Sequence, residues 1–393
     1  MKTPYFLIHE TELERNVIKL ENALKQYWNN YIIGYSFKTN ALPYLLSYMR
    51  KKDIYAEVVS ENEFHMAQRM GYEGNKVIYN GPVKGKQSFF QALENGAVVN
   101  IDASQEIFWL CESGMQKKCG VGIRVNFDLE HFCPGETGNG NEESRFGFCY
   151  ENGELKAAIE ILKGIKNIKI EGLHLHCSTK TRSLNVYGRI ARTACKIAEE
   201  FSLNLKYIDV GGGFFGGMED KPQFDEYIRV ISGELQKKFS SRRTTLIVEP
   251  GTSVISSPVD FVTSVLDVKR MVKNRFVVTD GSRINIDPLM HKNKYFFKIE
   301  YADSLDREDV SRQIISGFTC MENDRIFAME NERELRAGDI IIYKKVGAYT
   351  MCLNPLFIQY FPAVYWENQK GVICVRKPWT EENYIQNSVW EGI

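Results

Sequence analysis

The chain has 393 residues, more than one ordinary hydrophobic core accommodates, and this length predicts two domains. Lysine and arginine together number 50, as do aspartate and glutamate, so the formal net charge is zero. This balance gives no reason to expect nucleic acid or an anionic membrane as a partner. No apolar run approaches the roughly 20 residues of a membrane span, and the first residues lack the apolar core of a signal peptide.

The cysteines indicate a reducing compartment. There are nine, an odd number, and none forms a C-x-x-C pair. Such thiols are typical of a cytoplasmic protein, in which most cysteines are small buried apolar residues. We therefore predict a cytoplasmic location.

Strand and helix patterns alternate through the first two thirds of the chain. A short strand is predicted at Thr3–Ile8 and a helix at Glu10–Trp28, from the apolar spacing. Strand-like runs follow at Tyr31–Lys38, Ile54–Ser60, Lys76–Pro82, Ala97–Asp102, Val121–Phe127, Ile168–His176, Leu205–Phe214 and Thr244–Thr252. Helical spacing lies between them, for example at Glu61–Met70, Gln87–Asn95, Glu154–Lys163, Tyr187–Phe201 and Phe224–Phe239. Eight strands, each but the last followed by a helix, is the count of a (β/α)8 barrel, although a doubly wound sheet also alternates in this way.

Two segments depart from this alternation. His131–Ser144 is dense in glycine, asparagine and glutamate and is predicted to be a mobile loop, either functional or a solvated connection. Beyond Pro258 short β-rich runs follow one another with little helical spacing, which predicts a second, all-β domain.

A lysine ends the first barrel strand, in the stretch YIIGYSFKTN. At the end of a buried strand, Lys38 must either reach water or occupy a polar site that needs an amine. The later strand GLHLHCST ends with His174 and His176, of which we expect at most one to face the site; no third ligand is apparent nearby, so a metal site is not expected.

A glycine triplet ends another strand, in DVGGGF. Without Cβ atoms, the backbone N–H groups of Gly211, Gly212 and Gly213 can approach an anion closely, although a simple glycine-rich turn is the commoner meaning of such a triplet. Its position between a strand and a helix fits a phosphate cradle of the kind that barrels carry.

In their order along the chain, these motifs and three more resemble those of the pyridoxal-phosphate decarboxylases of fold type III, the group that includes diaminopimelate and ornithine decarboxylases. The further motifs are VEPGT at Val248–Thr252, GFTCMEND at Gly317–Asp324 and GAYT at Gly347–Thr350. The resemblance covers nearly the whole chain. It implies a barrel that binds pyridoxal 5′-phosphate at residues 10–255, and a β-rich domain at 256–393 that the first strand, 1–9, joins.

The resemblance also implies roles for particular residues. Lys38 would carry the cofactor as a Schiff base, His176 would stack on its ring, and Glu249 would hold the ring nitrogen protonated, which strengthens the ring as an electron sink. Cys320 would protonate the product across the interface of a homodimer with shared active sites. The phosphate would be bound by Thr179, Gly211, Gly212, Gly213, Gly251, Thr252 and Tyr349.

Departures from the family pattern bear on the substrate. The family's arginine after E-P-G is Thr252 here, and the arginine that precedes a proline in diaminopimelate decarboxylases is Asp287, in NIDPLM. Without either guanidinium, a bidentate clamp for a remote carboxylate is missing, which makes diaminopimelate a poor candidate. Two interpretations of Asp287 stay open: it suits a distal amine of the substrate, and it equally suits a turn. In the cysteine motif Asp324 matches the family's aspartate. Met321 stands where the family has an acid that contacts the distal end of the substrate, and Glu322, one position later, would have to take over that contact.

The sequence therefore predicts a homodimeric decarboxylase of an amino acid or an amino-acid conjugate, free or tethered to a carrier. A racemase or epimerase on the same fold is the alternative enzyme. Racemases of this fold place an arginine at the ring nitrogen, so Glu249 argues for decarboxylation. The other alternative is a non-catalytic homologue that only binds partners. Such a protein would have no need of Lys38, Glu249 and Cys320 together.

Overall fold

The computed structural model describes residues 1–391 and divides the chain into two compact units. One consists of Met1–Arg15 with Ile255–Ile393, of which 392 and 393 lie outside the described residues, and the other is Asn16–Val254. The predicted domain limits, 10–255 and 256–393 with 1–9, differ from these units by a few residues at each boundary and stay a prediction. Within residues 1–391 no helix is long and apolar enough to cross a bilayer. None of the nine cysteines, all of which lie within the described residues, forms a disulfide bond.

The chain begins with a strand and a helix, β1 and α1, at Tyr5–His9 and Glu10–Tyr27. The strands that follow are β2 Tyr31–Ser36, β3 Tyr55–Val58, β4 Val77–Tyr79, β5 Val98–Ile101, β6 Cys119–Asn126, β7 Phe148–Cys149, β8 Ile168–His174, β9 Tyr207–Asp209 and β10 Thr245–Val248. The helices between and after them are α2 Pro43–Lys51, α3 Glu61–Arg69, α4 Lys86–Glu94, α5 Ser104–Ser113, α6 Leu129–Phe132, α7 Glu154–Gly164, α8 Leu184–Glu200, α9 Phe224–Leu235 and α10 Thr252–Ile255.

Eight of these strands close into a parallel barrel. The hydrogen-bonded order runs β5-β4-β3-β2-β10-β9-β8-β6, and β5 also pairs with β6, which completes the ring. The predicted (β/α)8 barrel is therefore confirmed. The strands end earlier than predicted, so most motif residues lie in the turns just beyond the strands, at the carboxyl end where barrel active sites are found.

Large side chains fill the barrel interior. Ile78, Tyr207 and Ile247, from three different strands, form one buried apolar cluster. A Cβ at Gly172 would lie 2.1 Å from the ring of Tyr207, so only glycine leaves room for that ring. Outside the barrel, Ser183 caps the N-terminus of the amphipathic helix α8, and its hydroxyl accepts a hydrogen bond from the backbone N–H of Val186.

The second unit is mostly sheet, and the predicted β-rich domain is confirmed. Its strands are β1 together with β11 Val259–Arg270, β12 Arg275–Thr279, β13 Phe296–Glu300, β14 Asp309–Ser316, β15 Arg325–Arg333, β16 Ile340–Lys344, β17 Ala363–Asn368 and β18 Gly371–Arg376. Two short helices, α11 Arg283–Ile286 and α12 Glu381–Ile385, interrupt it. The first strand lies in this unit: β1 pairs with β11 in antiparallel and with β17 in parallel orientation.

Candidate active site

Lys38 lies in a short 3₁₀ turn, Phe37–Thr39, directly after strand β2. Its Nζ donates a hydrogen bond to Oε2 of Glu57 over 2.8 Å. The Lys38 side chain is 39% exposed, whereas that of Glu57, on the neighbouring strand β3, is 1% exposed. A buried carboxylate therefore binds an accessible amine at the carboxyl end of the barrel. Of the two alternatives for Lys38, this arrangement fits a polar site that needs an amine.

Lys84 provides a contrast among the lysines of this unit. Its side chain is fully buried, and Nζ lies 3.0 Å from Oε1 of Glu106 while it also donates to the carbonyls of Gly81 and Asn100. Burial lowers the pKa of Lys84 and raises that of Glu106. Because its amine already has these partners and is closed off from water, Lys84 is a structural residue and Lys38 is the better candidate for covalent chemistry.

A chain of polar side chains crosses the strand ends. Asn80 donates through Nδ2 to Oε1 of Glu57, over 3.1 Å, and to Oε1 of Glu249, over 2.5 Å. Asn100 donates through Nδ2 to Oδ1 of Asn80, over 2.8 Å, and to Oδ2 of Asp209, over 3.2 Å. All five residues are nearly inaccessible to solvent. Among these five, the sequence reasoning singled out only Glu249.

A signal for the other four existed in the sequence. Glu57, Asn80, Asn100 and Asp209 are single polar residues inside or directly after the apolar runs of four strands. A polar residue at such a position must find buried partners, because burying it without them is costly. Four of them near the same edge of a predicted barrel indicate a shared buried network.

Glu249 follows strand β10 and is the predicted partner of a ring nitrogen. Burial opposes its ionisation, but the neighbouring His174, a hydrogen bond with Asp209 and the positive charge of Lys38 outweigh burial and lower the pKa of Glu249. It is therefore an ionised carboxylate that is almost inaccessible to solvent. Such a group stabilises a positive charge placed against it far more strongly than it would in solvent.

The expectation that at most one of the two histidines faces the site is wrong. Residues separated by one position share a face of a strand, and the rings of His174 and His176 are nearly parallel, 20° apart, with centroids separated by 6.4 Å. His174 is buried, and its Nε2 lies 3.6 Å from Oε2 of Glu249. Burial, together with the positive charges of Arg124 and Lys38, lowers the pKa of His176 to about 3. His176 is thus a neutral imidazole that can pack flat against an aromatic ring.

The glycine triplet forms a tight turn after β9. Gly211 and Gly213 have φ of +67° and +86°, in the left-handed region that favours glycine. A Cβ at Gly212 would lie 2.0 Å from the carbonyl oxygen of Glu249. Two of the three N–H groups donate within the protein, from Gly211 to Oδ1 of Asp209 and from Gly212 to Nδ1 of His176. The triplet therefore fixes the network and the ring, and its role as a phosphate cradle stays a prediction.

The other predicted cofactor residues of this unit lie in adjoining turns. A Cβ at Gly251 would lie 2.1 Å from Oγ1 of Thr39, so glycine lets this turn approach the one that carries Lys38. Thr252 begins the short helix α10, and Thr179 forms an isolated antiparallel bridge with Thr137. Their contacts with a phosphate remain predictions.

A cavity of about 860 Å³ opens beside His176. The loop predicted at His131–Ser144 supplies much of its lining, together with the turn at Asn126–Glu130. Behind it, Arg124 pairs with Oδ2 of Asp102 over 2.6 Å, and Asp102 also accepts the backbone N–H of Gly147 over 2.9 Å. These bonds tie the end of the loop to two barrel strands, so the loop forms a wall of a space next to the predicted ring position.

In the β-rich unit, the predicted residues fall on two segments. Cys320 is exposed on the turn after β14. Asp324 is buried and accepts hydrogen bonds from the hydroxyls of Ser282, over 2.8 Å, and Thr319, over 2.7 Å, so it holds the cysteine-bearing turn against α11. Glu322 is almost fully exposed and pairs with Arg325.

Asp287 is buried at the end of α11 with partners of its own. Its Oδ2 accepts from Nε of Arg283 over 3.1 Å and from the hydroxyl of Tyr295 over 2.9 Å. Tyr349 is 40% exposed with φ of +55°. The substrate roles of Asp287, Glu322 and Asp324, the chemistry of Cys320 and the phosphate contact of Tyr349 stay predictions.

The residues at the barrel end fit pyridoxal 5′-phosphate, the cofactor that the resemblance implies. An accessible amine at Lys38, a buried ionised carboxylate at Glu249 and a neutral imidazole at His176 are the donor set that an aldehyde, a pyridine nitrogen and an aromatic face require. His174 supports the fit, because both of its ring nitrogens are buried without a hydrogen-bond partner among the described residues. Such a polar and partly unsatisfied floor indicates a site built for a bound group.

Comparisons with known proteins agree with this assignment. A probable chloroplastic diaminopimelate decarboxylase of rice is 26% identical over 98% of this chain and 79% of its own length. A crystal structure of diaminopimelate decarboxylase from M. jannaschii has a TM-score of 0.88 at 19% identity, covering 99% of this chain and 93% of that one. The arginine decarboxylase of Paramecium bursaria Chlorella virus has a TM-score of 0.77 at 19% identity, over 93% and 96%. Residues 11–256 match the family model of the pyridoxal-binding domain of pyridoxal-dependent decarboxylases. The chain therefore belongs to the pyridoxal-dependent decarboxylase family and is an amino-acid decarboxylase that uses pyridoxal 5′-phosphate.

Proposed function

We propose that this enzyme is a homodimer that decarboxylates an amino acid or an amino-acid conjugate other than diaminopimelate. The observation that supports this proposal is the missing carboxylate clamp. Thr252 and Asp287 stand where the family has arginines, and Asp287 already binds the nearby guanidinium of Arg283. Arg283 also donates to the backbone carbonyls of Met290 and Lys292. A remote carboxylate would therefore find no unengaged guanidinium on this segment.

The size of the cavity supports a substrate that extends beyond a free amino acid. About 860 Å³ beside His176 is at the upper end of the volumes of small-molecule pockets. Its lining carries more acids, among them Asp128, Glu130 and Glu142, than bases, of which Arg145 is one. An amine-bearing or conjugated side chain fits such a space better than a dicarboxylate does. A substrate that is tethered to a carrier is a further possibility within this proposal.

The residues divide the work as follows. Pyridoxal phosphate, when bound, supplies an electron-withdrawing ring that accepts the electron pair released by loss of the α-carboxylate. Lys38 would bind the cofactor, and Glu57 orients the Lys38 amine. Glu249 would hold a proton at the ring nitrogen, because an ionised carboxylate stabilises the protonated form of a base placed against it. His176 would pack against one face of the ring and exclude water from that face.

The final proton is assigned to Cys320, contributed across the dimer interface. The exposed thiol stands on a turn that Asp324 fixes, which suits a group that must reach a second chain. The cytoplasmic location remains part of the proposal, and the nine cysteines without a disulfide bond among residues 1–391 support it. No observation favours the racemase or the non-catalytic alternative, and neither is proposed.

Release of CO2 from a panel of basic, acidic and conjugated amino acids tests the proposal. We expect the highest kcat/KM for a basic or conjugated substrate, and little release from diaminopimelate. Glu249→Gln is the matched control, since it removes the carboxylate and leaves the cavity unchanged. A kcat/KM for diaminopimelate above that of every other compound would overturn the substrate assignment and leave the decarboxylase class intact.

A further inference from the structure

Two carboxylates lie close together in the barrel interior. Asp209, the last residue of β9, is inaccessible to solvent, and Glu249, just beyond β10, is 6% exposed. One oxygen from each and a ring nitrogen of His174 all lie within 4.8 Å of one another. Two negative charges at this separation, almost without water, repel each other strongly. The pair therefore favours a state with one negative charge.

The surrounding groups do not supply the cations that two charges would need. Lys38 is bound to Glu57, which is itself a third buried carboxylate facing this network. Arg124 is bound to Asp102. The remaining neighbours are His174, the amides of Asn80 and Asn100, and the hydroxyl of Tyr207, which donates to Oδ1 of Asn100 over 2.8 Å. A proton shared within the pair is the simplest way to balance the charge.

The contacts indicate which carboxylate holds that proton. Glu249 accepts a short bond of 2.5 Å from Asn80 and lies beside the imidazole of His174, so its environment favours the ionised form. Asp209 accepts from the N–H of Gly211 and, more weakly, from Asn100 at 3.2 Å, and within residues 1–391 no lysine or arginine is ion-paired with it. Burial and the neighbouring charge of Glu249 raise the pKa of Asp209 well above its usual range.

We propose that Asp209 is a neutral carboxylic acid that donates a hydrogen bond to Glu249 and so fixes a single negative charge on Glu249, opposite the ring nitrogen. Asp209 is then a positioning residue, because it acts on the cofactor only through Glu249. Its charge state is a property of the protein alone. Its function rests on the proposed role of Glu249.

Replacing each acid by its amide separates the two roles. Asp209→Asn stays neutral and keeps an N–H donor at the same place, so we expect cofactor affinity, and the pH profile of the bound cofactor's visible absorption, close to wild type. Asp209→Leu removes the hydrogen-bond donor to Glu249, so the pH profile of the bound cofactor's visible absorption should shift. Glu249→Gln removes the charge and should lose about 10²–10³-fold in turnover. Equal losses for Asp209→Asn and Glu249→Gln would overturn the proposal.

Infrared spectroscopy of the cofactor-free protein measures the proton directly and does not depend on catalysis. At neutral pH the wild type should show the C=O stretch of a protonated carboxylic acid, and Asp209→Asn should lack it. If that variant does not fold, carbon-13 labelling of aspartate carboxyl groups in the wild type should shift the band. Asp280→Asn is the control, because burial also raises the pKa of Asp280.

Two results would overturn the charge assignment. One is the absence of an acid band from aspartate in the wild type. The other is a stoichiometric divalent cation bound to His174, Asp209 and Glu249, whose removal by a chelator makes the band appear, because both carboxylates would then be ionised on the metal. Failure of Lys38 to bind the cofactor would instead contradict the proposed function and leave the infrared result unaffected.

Discussion

Lys38 and Glu57 form an ion pair of 2.8 Å in which the carboxylate is buried and the amine is accessible. The pair joins the turn after β2 to strand β3, and Asn80 connects it to Glu249. Removal of either partner should therefore weaken cofactor binding and also lower the stability of the barrel.

Lys38→Ala should abolish the covalent link to pyridoxal phosphate. The purified wild type should be yellow, and borohydride reduction followed by peptide mass mapping should place the cofactor on Lys38. The matched control is Lys76→Ala, since Lys76 is a partly exposed lysine that is ion-paired with Asp53 just before β4. A label on Lys84, Lys76 or any other lysine would show that the assignment of Lys38 is wrong.

The stability of the cofactor-free barrel should depend on the ion pair between Lys38 and Glu57. Lys38→Ala removes the ammonium group that pairs with Oε2 of the buried Glu57, and a buried polar atom left without its partner costs about 1–3 kcal/mol. Lys38→Ala/Glu57→Gln should regain part of that loss, because the amide carries no charge. Urea unfolding of the two variants gives the comparison. If the double variant is no more stable than Lys38→Ala, the unpaired charge of Glu57 does not destabilise the barrel.

The buried pair of Lys84 and Glu106 should matter for stability in a different way. Lys84→Met leaves Glu106 uncompensated in a site closed to water and should lower the free energy of unfolding by about 3–5 kcal/mol. Lys86→Met is the control, since the Lys86 and Glu112 side chains are exposed and 3.6 Å apart. Similar urea midpoints for the two variants would contradict a stabilising role for the buried pair.

The barrel could be predicted from the sequence because each of its strands is an apolar run that ends in a glycine or polar turn. The residues at which the strands end could not be predicted in this way. Lys38 and His176 were predicted on strands and lie in turns, because the turn is set by contacts such as Gly251 against Thr39, which are far apart in the chain. Local propensity carries no information on such contacts.

The same limit explains what was missed elsewhere. Strand β15, Arg325–Arg333, is rich in charged residues, and its pairing with β14 outweighs its weak strand pattern. In the site, Asn80 bonds to Glu249 across 169 positions of sequence. The family motifs named Glu249 without this partner, because they record which residues recur and say nothing of the buried amides that hold them.

Stability should depend on pH through His9, whose ring lies between Asp260 at 2.9 Å and Glu367 at 2.5 Å. The hydrogen bond to Asp260 is the largest cause that raises the pKa of His9, with burial opposing it and Glu367 adding to it. The protonated ring therefore stabilises the fold fully below its unfolded pKa of about 6.5, and this contribution is lost as pH rises through the raised folded pKa.

His9→Gln should accordingly lower the free energy of unfolding more at about pH 6 than at about pH 9. The measurement is urea unfolding at both pH values, with the exposed His65→Gln as control. A His9→Gln effect that does not vary with pH would mean that the ring binds its proton equally well in the folded and the unfolded protein, and that the two carboxylates do not favour its charged form.

If Cys320 completes the site of the other subunit, two inactive variants should restore each other. Lys38→Ala and Cys320→Ala are mixed under conditions of subunit exchange. Each hybrid dimer then has one site with both residues intact and one with neither. Because half of the dimers are hybrids and half of their sites are whole, activity should recover to about a quarter of the wild type.

The control for this recovery is a mixture of Lys38→Ala with Glu249→Gln. Both residues lie in the barrel unit, so no barrel in that hybrid is intact and activity should stay low. The motivation is the position of Cys320, exposed on a turn of the β-rich unit and 282 positions after Lys38 in the chain (320 minus 38). With exchange verified by mass spectrometry, equal activity in the two mixtures would mean that Cys320 serves its own chain or has no part in the chemistry.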